Sequence, residues 1–188
     1  DIAAVLNADP QTVQNVRWGL IPSWAKDAAI GNRMINARGE TLHEKPSFKR
    51  PLQKQRCLIL ADGFYEWQTV PGQKRKQPYY IHRRDAAPFA FAGLWDRWRS
   101  PEGEDVLSAT IVTTAANAVL APIHERMPVI LTPQRVPLWL SSAPEPIESL
   151  RSCIASYPDE QIEIYPVSTR VSTPTNDDAS CVARVEPA

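Results

Sequence analysis

The chain of 188 residues has few of the features that would assign it to a class at once. Its 3 cysteines, Cys57, Cys153 and Cys181, have no metal-ligand spacing and indicate a reducing compartment more than a disulfide scaffold. Its 3 histidines are scattered, so we expect neither a bound metal nor a cofactor. There is no glycine-rich phosphate loop, no HExxH or CxxC motif and no serine-hydrolase elbow. These absences argue against P-loop, metalloprotease and serine-hydrolase chemistry.

Long apolar runs are also missing. No stretch approaches the ~20 residues that cross a bilayer, and the start has no signal-peptide pattern. We therefore expect a soluble, cytoplasmic protein, nucleoid-associated if its source is bacterial, with no membrane partner. The length fits one domain over residues 1–188, which we expect to be monomeric.

Glycine is scarce beside proline, at 7 against 18 residues, which favours many short elements with rigid connections. We predict a β-dominated α+β fold, with twisted sheets in a partly closed barrel and short peripheral helices. The predicted strands cover 16–21, 56–61, 64–67, 78–82, 89–95, 108–114 and 162–167. The predicted helices cover 47–55 (with Ser47 as its N-cap), 115–120, 133–140 and 147–156, and the tail over 173–188 is predicted to be mostly irregular.

The net charge of zero conceals an asymmetry along the chain. Residues 1–100 carry 16 Lys and Arg against 9 Asp and Glu, whereas residues 101–188 carry 5 against 12. The basic excess gathers in Lys45–Arg56 and Lys74–Arg84. Such a face attracts phosphates, but ordinary solvated loops explain the charge equally well.

Two residues stand out as candidates for proton transfer. Glu66 lies between Tyr65 and Trp67, and burial on an inward-facing strand position would raise the pKa of its carboxyl group. Strand alternation leaves open that Glu66 faces solvent. His124 lies in a proline-bracketed loop, which suits either a proton-transfer or phosphate-binding histidine or a structural one bonded to a loop carbonyl.

Two further groups suggest binding. If 36–38 form a strand, Asn36 and Arg38 project from the same face, where an amide and a guanidinium can orient a reacting group and hold phosphate. The alternative is an exposed edge with an Arg38–Glu40 ion pair. Trp18 and Trp24 flank a Pro-Ser turn and are candidates for base stacking, although tryptophans of a small domain more often lie in the core.

Taken in order, these segments resemble the SRAP family of SOS response-associated peptidase-like proteins, which includes abasic-site sensors. The matching strings are RWGLIPSWAKD (17–27), INARGET (35–41), EKPSF (44–48), RCLILADGFYEW (56–67), KQPYYI (76–81), FAGLWD (91–96), TIVTTAANAVLAPIHERMPVIL (110–131) and YPVSTRV (165–171). The resemblance spans nearly all of residues 16–181 and is specific, since many uncommon strings recur in the same order.

The resemblance implies a β-rich fold with a basic cleft for single-stranded DNA. It implies that an N-terminal cysteine, exposed by autoproteolytic removal of the initiator methionine, condenses with the aldehyde of an abasic site. The product is a Schiff base and then a thiazolidine crosslink, with lyase-like activity. Carried onto this sequence, Asn36, Glu66 and His124 are the implied catalytic residues. The implied DNA contacts are Arg38, Trp18, Trp24, Thr113, Thr114 and Arg126.

The sequence departs from the family at its start, because the expected Met-Cys-Gly-Arg opening is absent before Asp1. We expect that an N-terminal segment is missing, since the other implied site residues are present. Two other functions stay open: a non-catalytic module that binds single-stranded DNA, and a general peptidase. The lack of a complete internal nucleophile–base set counts against the peptidase.

Overall fold

The computed structural model describes residues 1–186, so the last two positions of the predicted tail lie outside the described residues. The chain forms two compact units: a barrel unit (1–60, 90–114 and 128–156) and a sheet unit (61–89, 115–127 and 157–188). Ten strands carry most of the fold: β1 (Ile2–Leu6), β2 (Asp9–Trp18), β3 (Asn36–Arg38), β4 (Arg56–Ala61), β5 (Gly63–Gln68), β6 (Gln77–Arg83), β7 (Phe89–Arg99), β8 (Asp105–Ala115), β9 (Arg126–Pro128) and β10 (Ile162–Pro166). Three short helices, α1 (Pro46–Lys54), α2 (Val136–Leu140) and α3 (Ile147–Ser152), accompany them.

The barrel unit is built on a closed ring of five strands. The hydrogen-bonded order β2-β1-β4-β7-β8 is closed by a parallel pairing of β2 with β8, in which Trp18 lies opposite Ala109. β2 ends there, and β3 continues along the same edge of β8 with Asn36 opposite Ile111. The prediction of a strand-dominated α+β fold built around a barrel is therefore confirmed, and the ring is closed.

Three neighbouring strands of the barrel sheet, β4, β7 and β8, are largely buried on both faces. One face is covered by an apolar cluster that includes Leu58 and Val112 together with Trp139 of α2 and Leu150 of α3. On the other face the absent side chain of Gly93 makes room, since a Cβ there would lie 2.7 Å from the Cys57 sulfur. Residues 56–59 of β4 are buried on both faces, and the strand is accordingly a continuous apolar run after Arg56.

Arg56 joins the helices to the barrel wall. Its fully buried guanidinium donates to the carbonyls of Leu52 (2.8 Å) and Gln53 (2.7 Å) at the end of α1, and to those of Trp139 (2.7 Å) and Ser141 at the end of α2. These carbonyls lie at the negative ends of two helix dipoles, where a cation is favourable. Arg56 therefore has a structural role and does not contribute to the basic surface predicted over Lys45–Arg56.

The sheet unit contains a three-stranded antiparallel sheet in the order β10-β6-β5. Tyr65, Tyr80 and Tyr165 are directly opposite one another across the three strands, so they share one face. Residues of the tail pack on this face: the Arg184 guanidinium lies 4.6 Å from the centre of the Tyr165 ring, and the Tyr165 hydroxyl donates to the Val182 carbonyl (3.0 Å). The residues of β5 that alternate with Tyr65, which include Glu66, point to the opposite face of the sheet.

Two local predictions were wrong. The helix predicted over 115–120 is a series of turns, because the Asn117 carboxamide accepts from the Leu120 amide (3.0 Å) and donates to the Tyr157 carbonyl (2.9 Å). Such side-chain bonds compete with helical ones. The first helix begins at Pro46, so its N-cap is Lys45, not Ser47, and no side chain caps it. Proline is well suited to that first helical position.

Candidate functional site

Glu66 lies in the middle of β5, where the backbone alternation decides which face its carboxyl group occupies. It is directly opposite Tyr79 of β6, and it shares a face with Phe64 and Gln68. The side chain is half-buried. The structure therefore does not place Glu66 on an open solvent face, which was the alternative left by the sequence.

The environment of Glu66 stabilises the protonated form of its carboxyl group more than water does. Burial raises the pKa of the Glu66 carboxyl group above its ordinary value, and this is the largest influence on it. The charge of His124, the Trp67 backbone amide and the charge of Lys76 act in the opposite direction. A carboxyl group with a raised pKa next to a histidine has the properties of a general acid or base.

His124 is held by the backbone of its own loop. Its Nδ1 atom lies 3.0 Å from the Arg126 amide nitrogen and 3.1 Å from the Arg126 carbonyl oxygen. Nδ1 therefore accepts from the amide in one tautomer and donates to the carbonyl in the other. In both cases the loop engages Nδ1 and leaves Nε2 available for a substrate. The backbone hydrogen bond at Nδ1 is thus compatible with a chemical role of His124 through Nε2.

A glutamine connects the strand of Glu66 to the loop of His124. Gln68 donates from Nε2 to the Pro122 carbonyl (2.9 Å), and its Oε1 accepts from the Tyr79 hydroxyl (3.1 Å). Pro122 precedes His124 by two residues. The Tyr79–Gln68–Pro122 chain thus fixes the loop over the face that carries Glu66. Sequence reasoning missed both Gln68 and Tyr79, although the two-residue spacing from Glu66 to Gln68 signals a shared strand face.

Asn36 and Arg38 are on β3 of the barrel unit. Both side chains are exposed, whereas Ala37 between them is buried, as expected for neighbours that project from opposite faces. The strand is fixed by its parallel pairing with β8 and by the Ile111 amide, which donates to the Ile35 carbonyl (3.1 Å). The amide and the guanidinium are therefore presented together to solvent.

The two tryptophans predicted to stack bases are exposed. Trp18 is 45% exposed and Trp24 59%, so neither belongs to the core. The Trp18 indole N–H donates to the Ile35 carbonyl (2.8 Å), which orients its ring beside the start of β3. Both rings are therefore accessible for stacking on a base. The stacking role of both residues stays a prediction.

The remaining predicted contacts are less accessible. Thr113 and Thr114 are each 8% exposed, and the Thr113 hydroxyl lies 3.5 Å from the Ala37 carbonyl. Thr114 borders a cleft of about 400 Å³ in the barrel unit. Arg126 is half-buried, and its backbone contacts His124. Phosphate binding by these three side chains stays a prediction.

The predicted site residues are thus divided between the two units. Glu66, His124 and Arg126 lie in the sheet unit, where His124 is one of the charges that lower the pKa of Glu66. Asn36, Arg38, Trp18, Trp24, Thr113 and Thr114 lie in the barrel unit. Across residues 1–186, no group of three or more His, Cys, Asp or Glu is arranged to hold a metal ion.

The three cysteines lie in the interior of the protein. Cys57, Cys153 and Cys181 are all buried and free. Burial raises the pKa of the Cys57 thiol, and burial is also the largest cause of the raised pKa of Cys153. A thiol with a raised pKa is a poor nucleophile because its thiolate is scarce. No helix of the described chain is both long and apolar enough to span a membrane.

The fold and the site together define a class: a small barrel-and-sheet protein with a glutamate–histidine pair on a sheet face and exposed tryptophans on the barrel. The family described as SOS response associated peptidase (SRAP) matches residues 1–174. The chain belongs to this family, as its sequence motifs indicated.

Similar named proteins and a similar solved structure are consistent with membership of this family. The chain is 47% identical over 162 residues to the Abasic site processing protein YoqW of Bacillus subtilis (strain 168), covering 86% of this chain and 72% of that protein. It is 34% identical over 204 residues to the Abasic site processing protein HMCES of Gallus gallus, covering 96% of this chain and 60% of that protein. A crystal structure of a protein from Bacteroides thetaiotaomicron has a TM-score of 0.86 at 32% identity, covering 93% and 77% of the two chains.

Proposed function

We propose that this protein recognises abasic sites in single-stranded DNA and processes them through a covalent intermediate. The observation that carries the proposal is the glutamate–histidine pair of the sheet unit: Glu66 with a raised pKa, under a loop that leaves His124 Nε2 available. Relatives named as abasic site processing proteins indicate the substrate. An abasic site offers an aldehyde in its ring-opened form, and opening that ring requires proton transfer.

The proposed reaction joins the DNA to an N-terminal cysteine. The α-amine, with a pKa of about 8, is partly unprotonated at neutral pH and adds to the aldehyde carbon. Loss of water gives an imine, and addition of the thiol sulfur to the imine carbon closes a five-membered thiazolidine ring. Only a terminal cysteine carries both groups in this geometry, so Cys57, Cys153 and Cys181 cannot take this role.

Other residues of this chain transfer protons and bind the DNA. Glu66 transfers protons during ring opening and during autoproteolytic release of the initiator methionine. His124 assists by presenting Nε2 to the sugar or its phosphate. Asn36 and Arg38, exposed on one face of β3, bind and orient the strand, and Trp18 and Trp24 stack on its bases.

The test uses the protein expressed from its complete gene, with its first residue identified by mass spectrometry. Incubation with a single-stranded oligonucleotide containing one abasic site is expected to give an adduct that survives denaturation. Glu66→Gln is expected to slow its formation by about a hundredfold or more, as removal of a general acid–base group typically does. Glu125→Gln is the matched control, because Glu125 is an exposed carboxylate in the loop of His124. Absence of any adduct from protein with a confirmed N-terminal cysteine would refute the proposal.

The exposed tryptophans favour a second candidate, a module that binds single-stranded DNA without covalent chemistry. This candidate predicts salt-dependent binding to intact and abasic strands alike, with no adduct. It also predicts that Glu66→Gln leaves binding unchanged while Trp24→Ala weakens it. Formation of an adduct that depends on Glu66 would exclude this candidate.

A further inference from the structure

The turn that carries Trp24 is attached to the barrel by three buried side chains that the proposed chemistry does not use. These side chains, Ser108, Asp96 and Trp98, project from one face of the paired strands β7 and β8, since Asp96 lies directly opposite Ser108 and Trp98 follows Asp96 by two residues. Each of them forms a hydrogen bond with the backbone of the segment over 21–25. The three side chains thus form one row of anchors beneath the turn.

Asp96 is the central anchor, and it is only 3% exposed. One of its carboxylate oxygens accepts from the Ser23 amide (2.8 Å). The other accepts from the Gln55 side-chain amide (2.9 Å) and from the Arg97 backbone amide (2.8 Å). A buried carboxylate needs such donors, and hydrogen bonds to a charged group are stronger than those between neutral groups. The Ser23 amide is therefore held by a strong bond to the barrel wall.

The other two anchors fix the backbone on either side of Ser23. The Ser108 hydroxyl oxygen accepts from the Ile21 amide (2.8 Å). The Trp98 indole N–H donates to the Ala25 carbonyl (2.7 Å). The chain is therefore bound to the barrel at three alternate residues, although the segment is a connection between strands and not part of the sheet.

Trp24 lies between two of these anchored residues. The Ala25 amide donates to the Pro22 carbonyl (2.8 Å), which closes a turn with Ser23 and Trp24 as its central residues. The Trp24 side chain is 59% exposed, whereas the backbone on both sides of it is held. A fixed backbone limits the positions of an exposed ring, so less conformational entropy is lost when that ring contacts a ligand.

We propose that Asp96 is a positioning residue for strand recognition: it holds the turn over 22–25 so that the Trp24 indole is in place to stack on a base before the strand binds. The inference rests on the proposed function for the role of Trp24. Asp96 itself contacts no DNA and transfers no proton. Its effect on binding passes through Trp24.

The test is a double-mutant cycle between Asp96 and Trp24 in the full-length protein. Affinity for a fluorescent, unmodified oligothymidylate is measured by anisotropy for Asp96→Ala, Trp24→Ala and the double variant. We expect Trp24→Ala to weaken binding about fivefold or more, the effect of removing one base–aromatic stack. Asp96→Ala is expected to weaken binding about threefold or more, though no more than Trp24→Ala does, and to have no further effect once the indole is absent. A wider loss of structure would weaken binding in both backgrounds.

Two further variants control for charge and for the hydrogen bond. The Asp27 carboxylate also accepts from a backbone amide, that of Ala29 (2.8 Å), in the same connection between β2 and β3. Asp27→Ala therefore removes the same charge and the same kind of bond outside the turn, and we expect it to change affinity less than about twofold. Asp96→Asn should restore most of the affinity that Asp96→Ala loses. Gln55 Oε1 has no hydrogen-bond partner among the described residues, so it can accept from the new side-chain amide while the remaining oxygen serves Ser23.

Ser108→Ala tests the same row of anchors with a smaller change. It removes one buried hydroxyl group, so it keeps the inference testable even if Asp96→Ala does not fold. We expect Ser108→Ala to weaken binding about two- to threefold in the wild-type background and not at all in the Trp24→Ala background.

Unchanged affinity of folded Asp96→Ala protein, or an equal loss with and without the Trp24 indole, would overturn the inference. If Asp96→Ala does not fold, the same two outcomes with Ser108→Ala overturn it. Adduct formation by the wild-type protein with abasic DNA is measured in parallel. An adduct without coupling between the turn and its anchors refutes the inference alone, whereas coupling without an adduct supports the inference and refutes the covalent function.

Discussion

Gln68 connects the strand of Glu66 with the loop of His124, so replacing it tests whether the geometry of this pair matters. Gln68→Ala removes both the bond to the Pro122 carbonyl (2.9 Å) and the bond from the Tyr79 hydroxyl (3.1 Å). Tyr79→Phe removes only the second bond and keeps the one that reaches the loop. Neither residue is proposed to touch the substrate, so an effect on rate arises through the position of His124 or of Glu66.

The size of the effect follows from the hydrogen bonds that each substitution removes. A neutral hydrogen bond contributes about 0.5–1.5 kcal/mol net, and the bond to Pro122 is exposed, so water partly replaces it. We assign about 1 kcal/mol to the anchoring of the loop. If that free energy favours the reactive position of His124, removing it lowers the rate about fivefold, and about 1.4 kcal/mol would lower it about tenfold. Tyr79→Phe is expected to change the rate less than about twofold, since it leaves the anchor.

The assay is the single-turnover rate of adduct formation with abasic single-stranded DNA, measured in wild-type and His124→Ala backgrounds. If Gln68 acts through His124, Gln68→Ala slows the wild-type protein but has no further effect once His124 is absent. Affinity for an intact strand should be unchanged. An equal decrease in both backgrounds, or a Gln68→Ala rate equal to that of the wild type, would show that the bridge does not position the histidine.

Three other substitutions have expected outcomes. Burial raises the pKa of Glu66, so as pH rises the unfolded chain loses this proton first and stability falls; Glu66→Gln should therefore raise the urea midpoint at about pH 7 but not below about pH 4. Lys76 lowers the pKa of Glu66, so Lys76→Met should shift the Glu66-dependent limb of the pH–rate profile of adduct formation to higher pH, whereas Lys74→Met should not. Arg56→Met leaves buried carbonyls without their donor and should cost about 3–5 kcal/mol of unfolding free energy, measured by urea titration.

The strands that could be predicted from the sequence are those whose bounds are marked by residues nearby in the chain. β4 was predicted at its observed bounds, because an apolar run ends there at Asp62-Gly63. β1 was missed because it is only five residues long, and the first half of β2 because its exposed residues are polar, so both depend on pairing across the barrel. The helix predicted over 115–120 failed for the same kind of reason: Asn117 bonds to Tyr157, forty residues later in the chain.

The candidate site was predictable as a set of residues but not as an arrangement. Glu66 and His124 were recognised as unusual from their local context, and the charge of His124 lowers the pKa of Glu66. The bond from Gln68 to Pro122 spans 54 positions, so no local pattern signals it. Charge patterning also misled in one place. Arg56 was grouped with a basic surface, yet its guanidinium is buried because two helix ends supply the carbonyls that neutralise it.

The alternation of β5 explains how one short strand can serve two purposes. Its residues face opposite sides of the sheet in turn, so Glu66 and Gln68 lie on one side and Tyr65 and Trp67 on the side of the tyrosines. Burial of Glu66 opposes stability at neutral pH, whereas the aromatic contacts of Tyr65 with Tyr80 and Trp67 favour it. The strand can therefore retain a carboxyl group with a raised pKa on one face because the other face stabilises it. This unfavourable burial supports our proposal that Glu66 is the acid–base group.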